Sequence, residues 1–160
     1  MLRQPMSLLC GFSFFILISG GSSAQTISIF GNGVPNNPID DGLAVTLGVK
    51  FWSSQPGTIS AIRFCRAVTN PQGYVAKLYT AGGTLLGSVN LAHESGPVPG
   101  WQVAKFAGPI PLKANTTYIA AYYSAVGRGA WDANGLSNGR TNGPLISGQL
   151  GGRRQRRLQL

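Results

Sequence analysis

The residues best suited to chemistry in this 160-residue chain gather in one stretch, VGRGAWDANGLSNGRTNG, which sets Arg128, Trp131, Asp132, Asn134 and Arg140 among glycines. An indole, an acid, an amide and a guanidinium so close together suit the recognition of a sugar. The flat ring packs on the apolar face of the pyranose, and the polar groups orient its hydroxyls. Loops held on a rigid scaffold are where such groups collect. The competing reading makes Trp131 a lid on the core, with no ligand at all. Trp52 follows Phe51 in an alternating run, so it faces away from the interior and is a second candidate platform, or else the cover of a sheet edge.

Catalytic and metal chemistry find less support. The four acids are Asp40, Asp41, Glu94 and Asp132. Asp40 and Asp41 are adjacent and point apart in extended chain, so they do not form the facing pair that glycosidases use. His93 is the only histidine and has no second histidine or cysteine pair nearby, which argues against zinc sites and Cys/His nucleophiles. Asp40 and Asp41 beside the asparagine-rich loop 32–37 supply oxygen atoms of the kind calcium accepts, but their spacing matches no defined calcium loop and a solvated turn is expected. The chain is therefore expected to be non-catalytic, with no cofactor and no metal.

The first residues, MLRQPMSLLCGFSFFILISGGSSAQ, place Arg3 before an apolar run from Leu8 to Ile18 and end in small residues. That is the pattern of a secretory signal over residues 1–24, and the run of about ten residues is too short to span a membrane as a helix. The protein is expected outside the cytoplasm, secreted, periplasmic or on the cell surface. Loss of the signal removes Cys10 and leaves Cys65 as the one cysteine, so stability must come from packing.

Glycine at 23 residues, proline at 10 and a charged fraction of only 11% favour strands and turns over helices, and a hydrophobic content of 43% excludes general disorder. In LAVTLGVKF, Leu43, Val45, Leu47, Val49 and Phe51 share one side and Ala44, Thr46, Gly48 and Lys50 the other, the period of a half-buried strand. GTISAIRFC, YVAKLYT, TLLGSVNLA, GWQVAKFAG and TTYIAAYYSA read as further strands, divided by turn clusters such as SSQPG, TNPQG and ESGPVPG. AGG between YVAKLYT and TLLGSV suits a hairpin. Without helical periods long enough for parallel crossovers, the expected architecture is all-β, an antiparallel immunoglobulin-like β-sandwich over residues 25–152. LKANTTY has the spacing of a tyrosine corner, so the Tyr118 hydroxyl should bond the backbone a few residues upstream. Phe51, Phe64 and Trp101 are expected to be structural core residues.

Taken together, SIFG, TLGVKFWS, GTISAIRF, GYVAKLYTAGGTLLGSV, GWQVAKF, LKANTTYIAAYYSAVG and NGPL resemble the bacterial extracellular β-sandwich domain catalogued as domain of unknown function 4082, from Ser28 to Leu145. The resemblance implies export and an adhesive or glycan-binding role, and carries no catalytic residues. Relatives usually have Glu at the place of Thr46 and Tyr at that of Cys65, and continue past Gly-Pro-Leu through a segment like Asn-Gly-Val-Tyr to a closing strand. Here the chain ends in GGRRQRRLQL. A shifted reading frame through arginine codons accommodates Asn-Gly-Val-Tyr, so residues 153–160 are expected to be a basic tail that replaces the last strands of a truncated sandwich.

Read instead as an arm for nucleic acid, the four arginines would supply about four phosphate contacts. From Gln25 to Gly152, however, eight basic side chains face four acidic ones, a mild charge with no nucleic-acid motif, so no nucleic-acid partner is expected. The expected function is a secreted non-catalytic module that binds extracellular carbohydrate or attaches to a surface polymer. The alternative is a spacer or protein-interaction domain with no ligand of its own.

Overall fold

The computed structural model describes residues 12–18, 25–35, 37–66, 68, 72–91, 96–131, 136 and 138–148. These residues form twelve strands: β1 (Phe12–Ile18), β2 (Gln25–Ile27), β3 (Asn37–Asp40), β4 (Val45–Ser53), β5 (Gly57–Arg66), β6 (Tyr74–Thr80), β7 (Leu85–Leu91), β8 (Gly100–Leu112), β9 (Tyr118–Ser124), β10 (Arg128–Trp131), β11 (Arg140–Asn142) and β12 (Leu145–Ser147). Every pairing is antiparallel. One sheet runs β2-β1-β5-β8, a second runs β11-β12-β4-β9-β6-β7, and β10 pairs with β3 in a separate ribbon. The all-β antiparallel sandwich expected from the alternating runs is the fold observed.

The inward side chains of the two large sheets meet in one core. Leu47, Val49 and Phe51 of β4, Tyr118, Ala120 and Tyr122 of β9, and Tyr74, Ala76 and Leu78 of β6 face Ile59, Ile62 and Phe64 of β5 with Ala104 and Leu112 of β8. Phe64, Tyr74 and Tyr122 are its aromatic centre, with Phe64 4.9 Å from each tyrosine and the two tyrosines 5.6 Å apart, edge to face. Arg66 is the largest side chain enclosed here, at 1% exposure, and one of its terminal nitrogens donates to the Gly96 carbonyl at 2.7 Å. Burial pulls this guanidinium below the ordinary arginine range, against the influence of nearby Tyr74.

The six strands read from the sequence are β4 to β9, and AGG closes the β6–β7 hairpin through a bond from the Thr80 amide to the Thr84 carbonyl at 2.9 Å. Phe12–Ile18, the later part of the apolar run Leu8–Ile18 read as a leader, lies as β1 between β2 and β5. Phe and Ile suit an extended chain, and β5 offers an edge of backbone groups to pair with. Leu43 also departs from its expected side, standing 55% exposed in the turn before β4. The basic tail 153–160 lies outside the described residues.

Candidate functional site

Trp52 belongs to the outward side of β4, alternate to Phe51, and pairs with Ile146 of β12. The indole is half-buried and lies over Gly148, where an added Cβ would meet its Cζ3 at 3.5 Å. The register extends this surface across the sheet in rows. Lys50, Ile119 and Tyr79 form the first, Gly48, Ala121 and Lys77 the next, and Thr46, Tyr123 and Val75 the third. Tyr79, Ile119 and Ala121 are buried as a small apolar cluster outside the main core. Lys77 reaches over the Tyr123 ring, its Nζ 5.8 Å from the centroid. Trp52 and Tyr123 are thus partly exposed toward opposite ends of this face, with Lys50 exposed and Lys77 partly exposed between them. Six residues along the strands separate the Trp52 and Thr46 rows, about 20 Å at 3.3 Å per residue.

Arg128 stands at the other end of the sandwich. Its amide donates to Ser124 Oγ at 3.0 Å, and its Nε donates to Asp40 Oδ1 at 3.0 Å. The neighbouring Asp41 carboxylate accepts the Leu43 amide at 3.0 Å, the local bond of an Asx turn. Gly127, at φ +64°, makes the turn into β10 possible: an added Cβ would lie 2.5 Å from the Leu43 carbonyl oxygen and would also collide with Asp41. The backbone of Trp131 pairs with Asn37. Its side chain, Asp132 and Asn134 lie outside the described residues, as does His93. Because Val45 pairs with Ser124, Trp52 is seven residues of β4 away from the Arg128 end, about 23 Å, and the two sets of candidates form separate surfaces.

Trp101 occupies the opposite side of its strand from the one expected. Gln102 and Ala104 point into the core, whereas Trp101 pairs with Cys65 on the outer side of β5 and β8, half-buried against the margin of the core. The alternation in GWQVAKF fits either phase by hydropathy alone. The turn before β8 decides between them. Gln102, at 5% exposure, accepts the Gly96 amide at 3.1 Å and donates to the Pro97 carbonyl at 3.0 Å, so the inward amide is satisfied. Trp101 Nε1 donates to the carbonyls of Asn32 and Gly33 at 3.2 and 3.1 Å, and Phe30 stacks on it at 6.4 Å. Tyr118 accepts the Lys113 amide at 2.9 Å, the upstream bond of a tyrosine corner, and Phe51 and Phe64 are fully buried.

One feature had no signal in the alternating pattern. Between the pairs Ile59–Ile110 and Ala61–Lys105, β5 advances two residues and β8 five, so residues 106–109 bulge outward. Beside the bulge lies a groove of about 620 Å³ lined by Thr26, Ser60, Ala61, Val103, Lys105 and Phe106, among others. Its walls are largely apolar with the Lys105 side chain beside them, and its volume lies in the size range of small-molecule sites. Among the described residues, no three His, Cys, Asp or Glu side chains gather as a metal site, and no helix is long and apolar enough to cross a membrane.

Fold and surface together define an antiparallel β-sandwich domain whose candidate contacts are an aromatic sheet face and a turn-borne arginine. The chain belongs to the family described as domain of unknown function (DUF4082), which matches residues 32–157. No curated protein and no solved structure matches.

Proposed function

We propose that this chain is a secreted, non-catalytic module that binds extracellular carbohydrate or another surface polymer through the outer face of the six-stranded sheet around Trp52. The observation that carries the reading is the partly exposed indole of Trp52 on the same outer face as the partly exposed ring of Tyr123, with Lys50 and Lys77 between them. A sugar chain laid along this face exchanges water for contact with the two rings, and Lys50 and Lys77 supply donors for its hydroxyls. The leader-like pattern of residues 1–24 supports export. The Arg128 turn with Trp131, Asp132 and Asn134 is the second candidate contact.

Retention on a panel of insoluble polysaccharides tests the proposal. The protein should be retained on at least one, and Trp52→Ala should weaken that retention on the order of tenfold or more, as loss of an aromatic anchor does. Loss on Trp131→Ala with Trp52→Ala unaffected would move the site to the turn. No retention of the unaltered protein on any polymer would leave the spacer reading in its place.

A further inference from the structure

We propose that the sandwich carries a strand-acceptor slot, bounded by β5 on one side and β2 on the other, which takes an extended apolar segment of another polypeptide in antiparallel register. In this structure β1 occupies the slot. Its residues pair with β5 from Phe12–Phe64 to Leu17–Thr58 and with β2 from Ile16–Ile27 to Ile18–Gln25. The occupant's sequence, FSFFILI, is free of charge, glycine and proline. Main-chain hydrogen bonds on both edges would give such a segment its affinity, and alternate side chains its fit.

The walls of the slot do not depend on β1 alone for their position. On the β5 side, Ile59, Ile62 and Phe64 are each 0% exposed and fixed in the core, and β8 holds the other edge of the strand. On the β2 side, Ile27 belongs to the same core, and the Asn142 side chain donates to the Ser28 carbonyl at 2.7 Å. The family match begins at residue 32, so the unit that defines the family contains β5 but neither β1 nor β2. The proposal rests on the reading that residues 1–24 are removed on export. Their removal takes β1 away and leaves two facing edges one strand apart, with backbone donors and acceptors unpaired along β5.

The test exports the full-length protein from a host that processes leaders, sequences the N-terminus of the product, and titrates it with a fluorescent peptide of sequence FSFFILI flanked by lysines. The expected product begins near Gln25 and binds the peptide saturably. In a Cys65→Ala background, a peptide with Leu17→Cys should form a disulfide with a Thr58→Cys protein at least tenfold faster than with a Lys77→Cys protein, whose thiol lies on the other sheet. A processed product that takes up no peptide, or cross-links both positions equally, overturns the slot. So does a product that retains residues 1–24 and keeps the edge filled by its own chain. Polysaccharide retention is read separately, so failure here is distinguishable from failure of the carbohydrate reading.

Discussion

The guanidinium of Arg63 lies 4.2 Å from the ring centroid of Trp101. The same group reaches the loop before β3, donating to the Gly31 carbonyl at 3.3 Å and to Asn32 Oδ1 at 2.9 Å. Burial pulls the guanidinium below the ordinary arginine range, with Cys65 acting in the opposite sense. Trp101 is thus a joint. Its nitrogen holds the carbonyls of Asn32 and Gly33, one neighbour is Phe30, and a cation rests on its ring. A tryptophan engaged in this way is a poor sugar platform, which leaves Trp52 as the proposed one. Arg63→Ala should lower stability by about 1–2 kcal/mol through the lost cation–π contact and loop bonds, and should shift Trp fluorescence to longer wavelength as water reaches the indole. Unchanged melting and emission would count against the joint. Polymer retention should survive the change.

The tyrosine corner offers a cleaner measure of one hydrogen bond. Tyr118 is buried against Phe51 at 5.9 Å, so Tyr118→Phe keeps the ring packing and removes only the acceptor for the Lys113 amide. That N–H is part-buried, and its loss of a partner should cost about 1–2 kcal/mol. Denaturant unfolding should show a lower midpoint with an unchanged slope. A Tyr118→Phe protein as stable as the original would mean water replaces the hydroxyl at no cost.

Long strands with one clean apolar side were legible because only one phase buries them. β6 is bounded by Tyr74 and Thr80, as YVAKLYT alone indicates, and Leu47, Val49 and Phe51 fall inside as their spacing requires. β3, β10, β11 and β12 were not legible, being three or four residues each and too short to show a period. Their positions follow from pairings far apart in sequence, such as Arg128 with Asp40. Trp101 shows the other limit. In WQVAKF both faces carry apolar residues, and the side chain that settles the phase is the polar Gln102, whose partners lie in a turn. The candidate site divides in the same way. Trp52 could be placed outward from its neighbour Phe51, whereas its companions Tyr79, Ile119 and Tyr123 depend on the β4–β9–β6 register.

The turn that presents Arg128 depends on a glycine with two separate reasons to be one. At φ +64°, Gly127 occupies the left-handed region, and a methyl group there would also press on the Leu43 carbonyl and the Asp41 side chain. Backbone cannot yield as a flexible side-chain end can. Gly127→Ala should therefore destabilise by about 1–3 kcal/mol, more than the strain of a positive φ alone. It should also loosen the 41–43 turn, seen as faster amide exchange at Leu43. Slow exchange retained at Leu43 would show that the contact is relieved elsewhere.

Arg128 itself is the residue on which a ligand role and a structural role separate most readily. Its ion pair with Asp40 joins side chains 27% and 46% exposed, so water and salt screen it heavily. Such pairs contribute less than about 1 kcal/mol, and the Arg128 amide bond to Ser124 needs no side chain. Arg128→Ala should therefore leave the melting temperature within about 2–4 °C of the original, and added salt should shrink the difference. Against that quiet background, a severalfold fall in polymer retention would assign the guanidinium a contact with ligand, made by exchanging Asp40 for sugar hydroxyls or an acidic substituent. Unchanged retention would remove the Arg128 side chain from the contact and favour the Trp52 face about 23 Å away.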